Sequence, residues 1–222
     1  MEQILEKLAY CVEFGKINNQ APYPPDMKGQ DGADELTRQA LEQGFAADDI
    51  LQKALIKGME KVGIKFRENK IYVPQVLMSA KAMHTSMEHL KPFFQSGSIK
   101  RKGIFIIGTV AGDLHDIGKN LVSMMIEGNG WQVIDLGTDV KPEKFVETAR
   151  SNPGCKVGLS ALLTTTMGKM EETVKILKEQ LSDIKVLIGG APVNDNFRER
   201  IGADFYSPDP QGAVEFLNRL VV

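Results

Sequence analysis

Along the first 92 positions apolar residues recur only at helical intervals, whereas from Gly103 onward they gather into short unbroken runs separated by amphipathic stretches. The first texture predicts a helical domain and the second a parallel sheet flanked by helices. Ile4, Leu5, Leu8 and Val12 share one face of a first helix. Pro22, Pro24, Pro25 and two glycines break the pattern between Asn18 and Gly32, which reads as an exposed loop. Asp34 to Gln43 forms a second helix closed by Gly44, and Asp48-Asp49 cap a third bearing Ile50, Leu51, Leu55 and Met59. A fourth starts near Pro74, carries Val76, Leu77, Ala80, Met83, Met87 and Leu90, and ends at Pro92. Residues 1–94 thus form a four-helix domain, 95–102 a polar linker and 103–222 an α/β domain.

Five strands are expected in the second domain, at Gly103–Gly108, Trp131–Asp135, Lys156–Leu159, Lys185–Ile188 and Ala203–Tyr206. Helices are expected over Asp116–Glu127, Lys141–Arg150, Met167–Leu181, Asn194–Arg200 and Pro210–Leu220. Such an alternation takes the flavodoxin-like, Rossmann-like strand order 2-1-3-4-5, with ligands bound where the order reverses between the first and third strands. Asp113 and His115 follow the first strand, and Ser160, Leu162, Thr164, Thr165 and Thr166 follow the third, so both groups border one crevice. Gly189-Gly190, after the fourth strand, leaves room for a narrow slot beside the sheet. A ligand with a broad head and a long tail suits that shape.

Composition narrows the chemistry. The chain has 222 residues, 42% of them hydrophobic and 25% charged, with a formal net charge of -2. There is no basic block for nucleic acid or an anionic membrane, no secretory signal and no spanning run, so a cytoplasmic location is the default. Cys11 and Cys155 are far apart in sequence and read as reduced packing residues. His115 suits a transition metal, with Asp113 as the partner that fixes its tautomer. Asp116 reads as a helix cap or first-turn acid, and Lys119 and Asn120 as solvated or packing residues; His84 and His89, five positions apart, do not share a helix face, which argues against a metal pair, and they read as surface residues. Gly108-x-x-x-Gly112 lacks the dinucleotide fingerprint spacing and the phosphate-loop lysine. Thr164-Thr165-Thr166 fits both an ordinary helix-starting turn and a site role.

Asp113-x-His115-x-x-Gly118, Ser160-x-Leu162 and Gly189-Gly190, in that order and at those separations, resemble the corrinoid (cobalamin-binding) proteins of methyltransferase systems and the cobalamin-binding module of methionine synthase. The first domain, especially Tyr72-Val73-Pro74-Gln75 through Leu90-Lys91-Pro92, is similar to that family's helical cap. The resemblance implies that His115 is the lower axial ligand of cobalt, hydrogen-bonded to Asp113, with Thr166 where methionine synthase relatives carry Ser. It implies cofactor contacts from Gly108, Gly112, Leu114, Asp116, Ile117, Gly118, Ser160, Leu162 and Thr164. Ser160 and Thr164 would contact the cofactor's nucleotide tail, Gly108, Gly189 and Gly190 would give it passage, Tyr206 and Asp209 would lie near its end, and Tyr72, Val73, Leu77 and Met78 are the lid candidates. The cofactor is cobalamin or a related corrinoid, methylcobalamin in turnover. The partners implied are a substrate-specific, barrel-type methyltransferase, a second methyltransferase to tetrahydrofolate or a thiol, and a reductive activator. The chain would be a methyl carrier more than a self-sufficient enzyme. A cobalamin-binding sensor and the small subunit of an adenosylcobalamin mutase are the alternatives.

Overall fold

The computed structural model describes residues 2–221 and divides into two compact units, residues 1–101 with 128–130, and residues 102–127 with 131–222. In the first unit, α1 (Glu2–Phe14) packs with α2 (Ala33–Glu42), α4 (Lys57–Arg67) and α5 (Val73–Gln95). Its core is Leu5, Leu8, Val12, Leu36, Ile50, Leu55, Met59, Val62, Val76 and Leu90, all buried and mostly the residues at helical spacing.

Several expectations for this unit are corrected. Asp48 and Asp49 do not cap a helix: Ala46 holds that position, and both acids lie in the first turn of α3 (Ala47–Ile50), where the helix dipole favours them. α3 runs into a π-helical stretch, Leu51–Ile56, and then directly into α4. The wider turn lets the consecutive residues Ala54, Leu55 and Ile56 all be buried. Pro92 does not end α5, which continues to Gln95. Pro92 is exposed, so water can satisfy the carbonyl that its missing N–H leaves open. His89 is not simply a surface residue, because its Nε2 lies 2.6 Å from Asp34 Oδ1, tying α5 to α2. The 18–32 segment is anchored, with Pro24 and Met27 buried and the buried Lys16 Nζ donating to Ala21 O at 2.9 Å.

The second unit contains a five-stranded all-parallel sheet in the order β2-β1-β3-β4-β5. The strands are β1 (Ile104–Thr109), β2 (Gln132–Asp135), β3 (Lys156–Ser160), β4 (Lys185–Gly189) and β5 (Phe205–Tyr206). The helices are α6 (Ile117–Glu127), α7 (Pro142–Ser151), α8 (Met167–Gln180), α9 (Asp195–Ile201) and α10 (Pro210–Arg219). One sheet face presents Ile106, Val157, Leu159, Val186 and Ile188 to Phe145 and Val146 of α7, Met170, Val174 and Leu177 of α8, and Phe197 of α9. Strand alternation sends Phe105 and Ile107 to the other face, and α10 packs beside α6. Because β1 sits between β2 and β3, the loops that leave β1 and β3 meet at the switch point. No helix among the described residues is long and apolar enough to cross a membrane.

Candidate functional site

β1 ends in Thr109, whose buried hydroxyl donates to His115 O at 2.8 Å and so closes the loop that follows the strand. Within that loop Asp113 N–H donates to Val110 O at 3.1 Å, and His115 N–H turns back to Asp113 Oδ1 at 3.1 Å. The short turn leaves the Asp113 side chain fully buried and the His115 side chain 51% exposed. Asp113 Oδ1 also lies 2.7 Å from His115 Nδ1. Its Oδ2 accepts from Leu162 N–H at 2.7 Å, Leu163 N–H at 3.2 Å and the Thr166 hydroxyl at 2.8 Å.

One carboxylate therefore joins the loop after β1 to the loop after β3. Burial alone would raise its pKa, but hydrogen bonds from the His115 ring, Leu162 N–H, His115 N–H and Thr166 outweigh it and hold the carboxyl well below the usual range. The loop after β2 completes the frame: Asp139 N–H donates to Asp113 O at 3.0 Å, and Asp139 Oδ1 accepts from Gly112 N–H at 2.7 Å.

Large apolar side chains are exposed on the two loops that meet at His115, with Asp116, Thr164 and Thr165 exposed beside them. Leu114 and Ile117 are each 73% exposed, Leu162 43% and Leu163 41%. A Cβ built on Gly118, at the start of α6, would meet nothing within 4 Å. Among the described residues no group of three or more His, Cys, Asp or Glu could hold a metal ion. A single oriented imidazole with exposed leucine and isoleucine on its own and the facing loop does not capture a bare ion. It fits a metal that arrives already held in a flat, largely apolar macrocycle and needs one more ligand.

The remaining expected site residues divide by what their side chains do. Ser160 ends β3 beside Gly189 and accepts Val110 N–H on its carbonyl at 3.0 Å, and Thr164 is exposed at the start of a 3-10 turn over Thr164–Thr166. Of the glycines expected to give the tail passage, Gly108 and Gly190 each have a packing reason of their own. A Cβ on Gly108 would strike Phe145 at 2.8 Å, so that glycine admits α7 onto the sheet. At Gly190, φ is +126° and a Cβ would meet Ala161 O at 1.8 Å, so the glycine there serves close backbone approach. At Gly189 a Cβ would meet only Ser207 O, at an ordinary contact distance of 3.6 Å.

Asp209 caps α10 by accepting Gly212 N–H at 2.8 Å, and Asp116 accepts from Asn120 Nδ2 at 3.0 Å at the start of α6. Tyr206 is half-buried in β5 beside Ile188. Tyr72 and Leu77 are exposed on the helical unit, and Met78 packs against Gly15.

Sequence reasoning missed Lys119. Its side chain is 2% exposed, forms an ion pair with Asp135 at the end of β2, and donates to Asn120 Oδ1 at 2.6 Å. The signal available was an Asp at the carboxyl end of a neighbouring strand. Thr109 and Asp139 were missed as well, because their partners are backbone groups of other loops.

Residues 103–214 match the model of the B12 binding domain, and residues 30–91 match a second B12 binding domain model. A corrinoid protein of Desulfitobacterium hafniense is 41% identical over 192 residues, covering 84% of this chain and 89% of that protein. Monomethylamine corrinoid protein 2 of Methanosarcina acetivorans is 42% identical over 179 residues, covering 78% and 82%. Among solved structures, a cobalamin-binding protein from Desulfitobacterium hafniense superposes with a TM-score of 0.76 at 30% identity, covering 98% of both chains. The methanol:cobalamin methyltransferase complex of Methanosarcina barkeri gives 0.82 at 29% identity, covering 99% of this chain and 80% of its counterpart.

Proposed function

The chain belongs to the B12-binding family of corrinoid proteins, and from that premise we propose that it is a methyl carrier serving two methyltransferases. One, substrate-specific and barrel-type, loads the methyl group, and the other passes it to tetrahydrofolate or a thiol. A reductive activator restores the carrier when it is lost to oxidation. When bound, the corrinoid supplies a cobalt centre able to receive and release a methyl group.

The observation that carries this reading is the chain of hydrogen bonds from Thr166 through buried Asp113 to His115 Nδ1. It leaves Nε2 as the nitrogen for the metal and fixes the direction of the ring. Leu114, Ile117, Leu162 and Leu163 would take the underside of the macrocycle, and Gly118 permits its close approach. Asp113 holds or relaxes its grip on the ring's Nδ1 proton, which adjusts how strongly Nε2 donates. Gly189 would give the nucleotide tail its way past the carboxyl end of β4.

Similarity to a methyltransferase complex over 99% of this chain supports work beside a methyltransferase. Relatives named for dimethylamine, monomethylamine and methanol lie at 38%, 42% and 29% identity, so choice of methyl donor is assigned to the partner.

The test is an absorbance spectrum of the chain reconstituted with cobalamin, beside His115→Ala. Stoichiometric binding with benzimidazole displaced, and a changed spectrum in the variant, is the expected result. An unchanged spectrum in the variant refutes His115 as the ligand.

A further inference from the structure

The β5–α10 connection runs beside Gly189, the glycine of the pair at which a Cβ would meet nothing closer than ordinary contact distance. Ser207 O is the nearest atom to the place a Gly189 side chain would take, at 3.6 Å, and Ser207 N–H donates to Ile188 O at 3.3 Å. Two residues on, Asp209 caps α10, and Gln211 lies in that helix's first turn. Gln211 is 5% exposed, and among the described residues its buried Oε1 has no hydrogen-bond partner.

The amide orientation is not arbitrary. Its other end lies 3.4 Å from Glu215 Oε1, a carboxylate oxygen that can only accept, so Nε2 must face Glu215 and Oε1 must be the orphan. A buried acceptor without a donor destabilises the fold, and proteins rarely keep one without a use. Asp209, Gly212 and Glu215 cannot supply the donor, because Gly212 N–H is engaged by the cap and the two carboxylates are acceptors.

We propose that Gln211 is a tail-reading residue: its Oε1 accepts a hydrogen bond from an O–H or N–H on the nucleotide tail of the bound corrinoid. The inference rests on the corrinoid reading above and goes beyond it by assigning a discriminating contact outside the His115 loop. Two sources carry the donor chemistry, a ribose hydroxyl or an exocyclic amine on the lower base.

The experiment measures binding of three purified corrinoids to the full chain and to Gln211→Met, by absorbance titration, together with thermal unfolding of the ligand-free proteins. The probes are cobalamin, a cobamide with adenine as its lower base, and cobinamide, which has no nucleotide. Expected is a loss of about tenfold in affinity for a nucleotide-bearing corrinoid, affinity for cobinamide within twofold of wild type, and a ligand-free variant at least as heat-stable as wild type. Loss with both nucleotides assigns the donor to ribose, and loss with the adenine form alone assigns it to the base amine. An equal loss with cobinamide, or no loss with either nucleotide form, overturns the inference and leaves Gln211 a structural or water-bound residue. If wild type takes up none of the three, the corrinoid reading itself fails, and this inference with it.

Discussion

Replacing Asp113 by Asn isolates what the buried carboxylate does, because the change removes charge and one acceptor but almost no volume. Oδ2 receives three donors, Leu162 N–H, Leu163 N–H and the Thr166 hydroxyl, and Oδ1 receives two, both from His115. An amide NH2 cannot face the three, so it must take the place of Oδ1. There the imidazole can adapt by moving its proton: Nδ1 becomes an acceptor of the amide N–H, and Nε2 becomes the protonated nitrogen. The His115 backbone N–H loses its acceptor, and the three remaining bonds lose their charge assistance. Together these cost about 2–3 kcal/mol of stability, which lowers Tm by roughly 5–10 °C. The functional cost is greater, because a protonated Nε2 has no lone pair for a metal. Asp113→Asn loaded with cobalamin should therefore show the absorbance of His115→Ala although the histidine is present. A wild-type spectrum in the Asn variant at neutral pH would refute the argument that Asp113 sets the tautomer.

Thr166→Ser keeps the hydroxyl on Asp113 and should stay within about 0.5 kcal/mol of wild type, whereas Thr166→Val removes it and should cost about 1–2 kcal/mol in urea unfolding. Lys119→Met removes a buried ammonium but leaves Asp135 partly hydrated, so a loss of about 1–3 kcal/mol is expected in the same measurement. Asp113 and Asp204 both have carboxyl pKa values held below the ordinary range, Asp204 because hydrogen bonds from Lys178, Val186 N–H and Lys185 outweigh the burial that would raise it. Their stabilisation is complete above the unfolded-state value near pH 4 and is lost as pH falls below it. Urea midpoints should hold above about pH 5 and drop below about pH 4, and Asp204→Asn should flatten that drop. Burial pushes the Cys11 thiol up to about 11 and also raises Cys155, so neither should react with a thiol reagent at pH 8 until the chain is unfolded.

The sheet was legible because its three central strands are short apolar runs bounded by glycine or polar residues, and the observed strands depart from the expected boundaries by only a residue or two. The meeting of His115, Asp113 and Thr166 followed from strand order, since residues 53 positions apart come together only if β1 and β3 are neighbours. Features set by a partner far away in sequence were not legible. Lys119 in a first helical turn has the pattern of a solvated residue until Asp135 is placed beside it. His89 is ordinary until Asp34 faces it. Glycine was the least readable residue type, because the missing side chain of Gly108 is explained by a phenylalanine and that of Gly190 by a neighbouring carbonyl, whereas at Gly189 a Cβ would find ordinary contact. The π-helical stretch left no mark on an apolar pattern that suits an ordinary helix equally well.

The construction of the site explains why a half-exposed histidine can be well directed. Little packing holds the His115 ring, yet its loop is tied at both ends, by Thr109 to His115 O and by Val110 O to Asp113 N–H. The Asp113 carboxylate then fixes that loop to the β3–α8 connection, while Asp139 fixes Gly112 and the Asp113 carbonyl to the β2–α7 connection. Three loops at adjacent strand ends are thus joined through one buried charge and its neighbours, and the ring's direction is set before a ligand arrives. An apolar plug in place of Asp113 could join the loops by packing, but it could not hold a proton on Nδ1 and leave Nε2 unprotonated. On the proposed reading, the cost of burying a carboxylate is accepted in this crevice because the same group that braces the loops would also select which imidazole nitrogen faces the ligand.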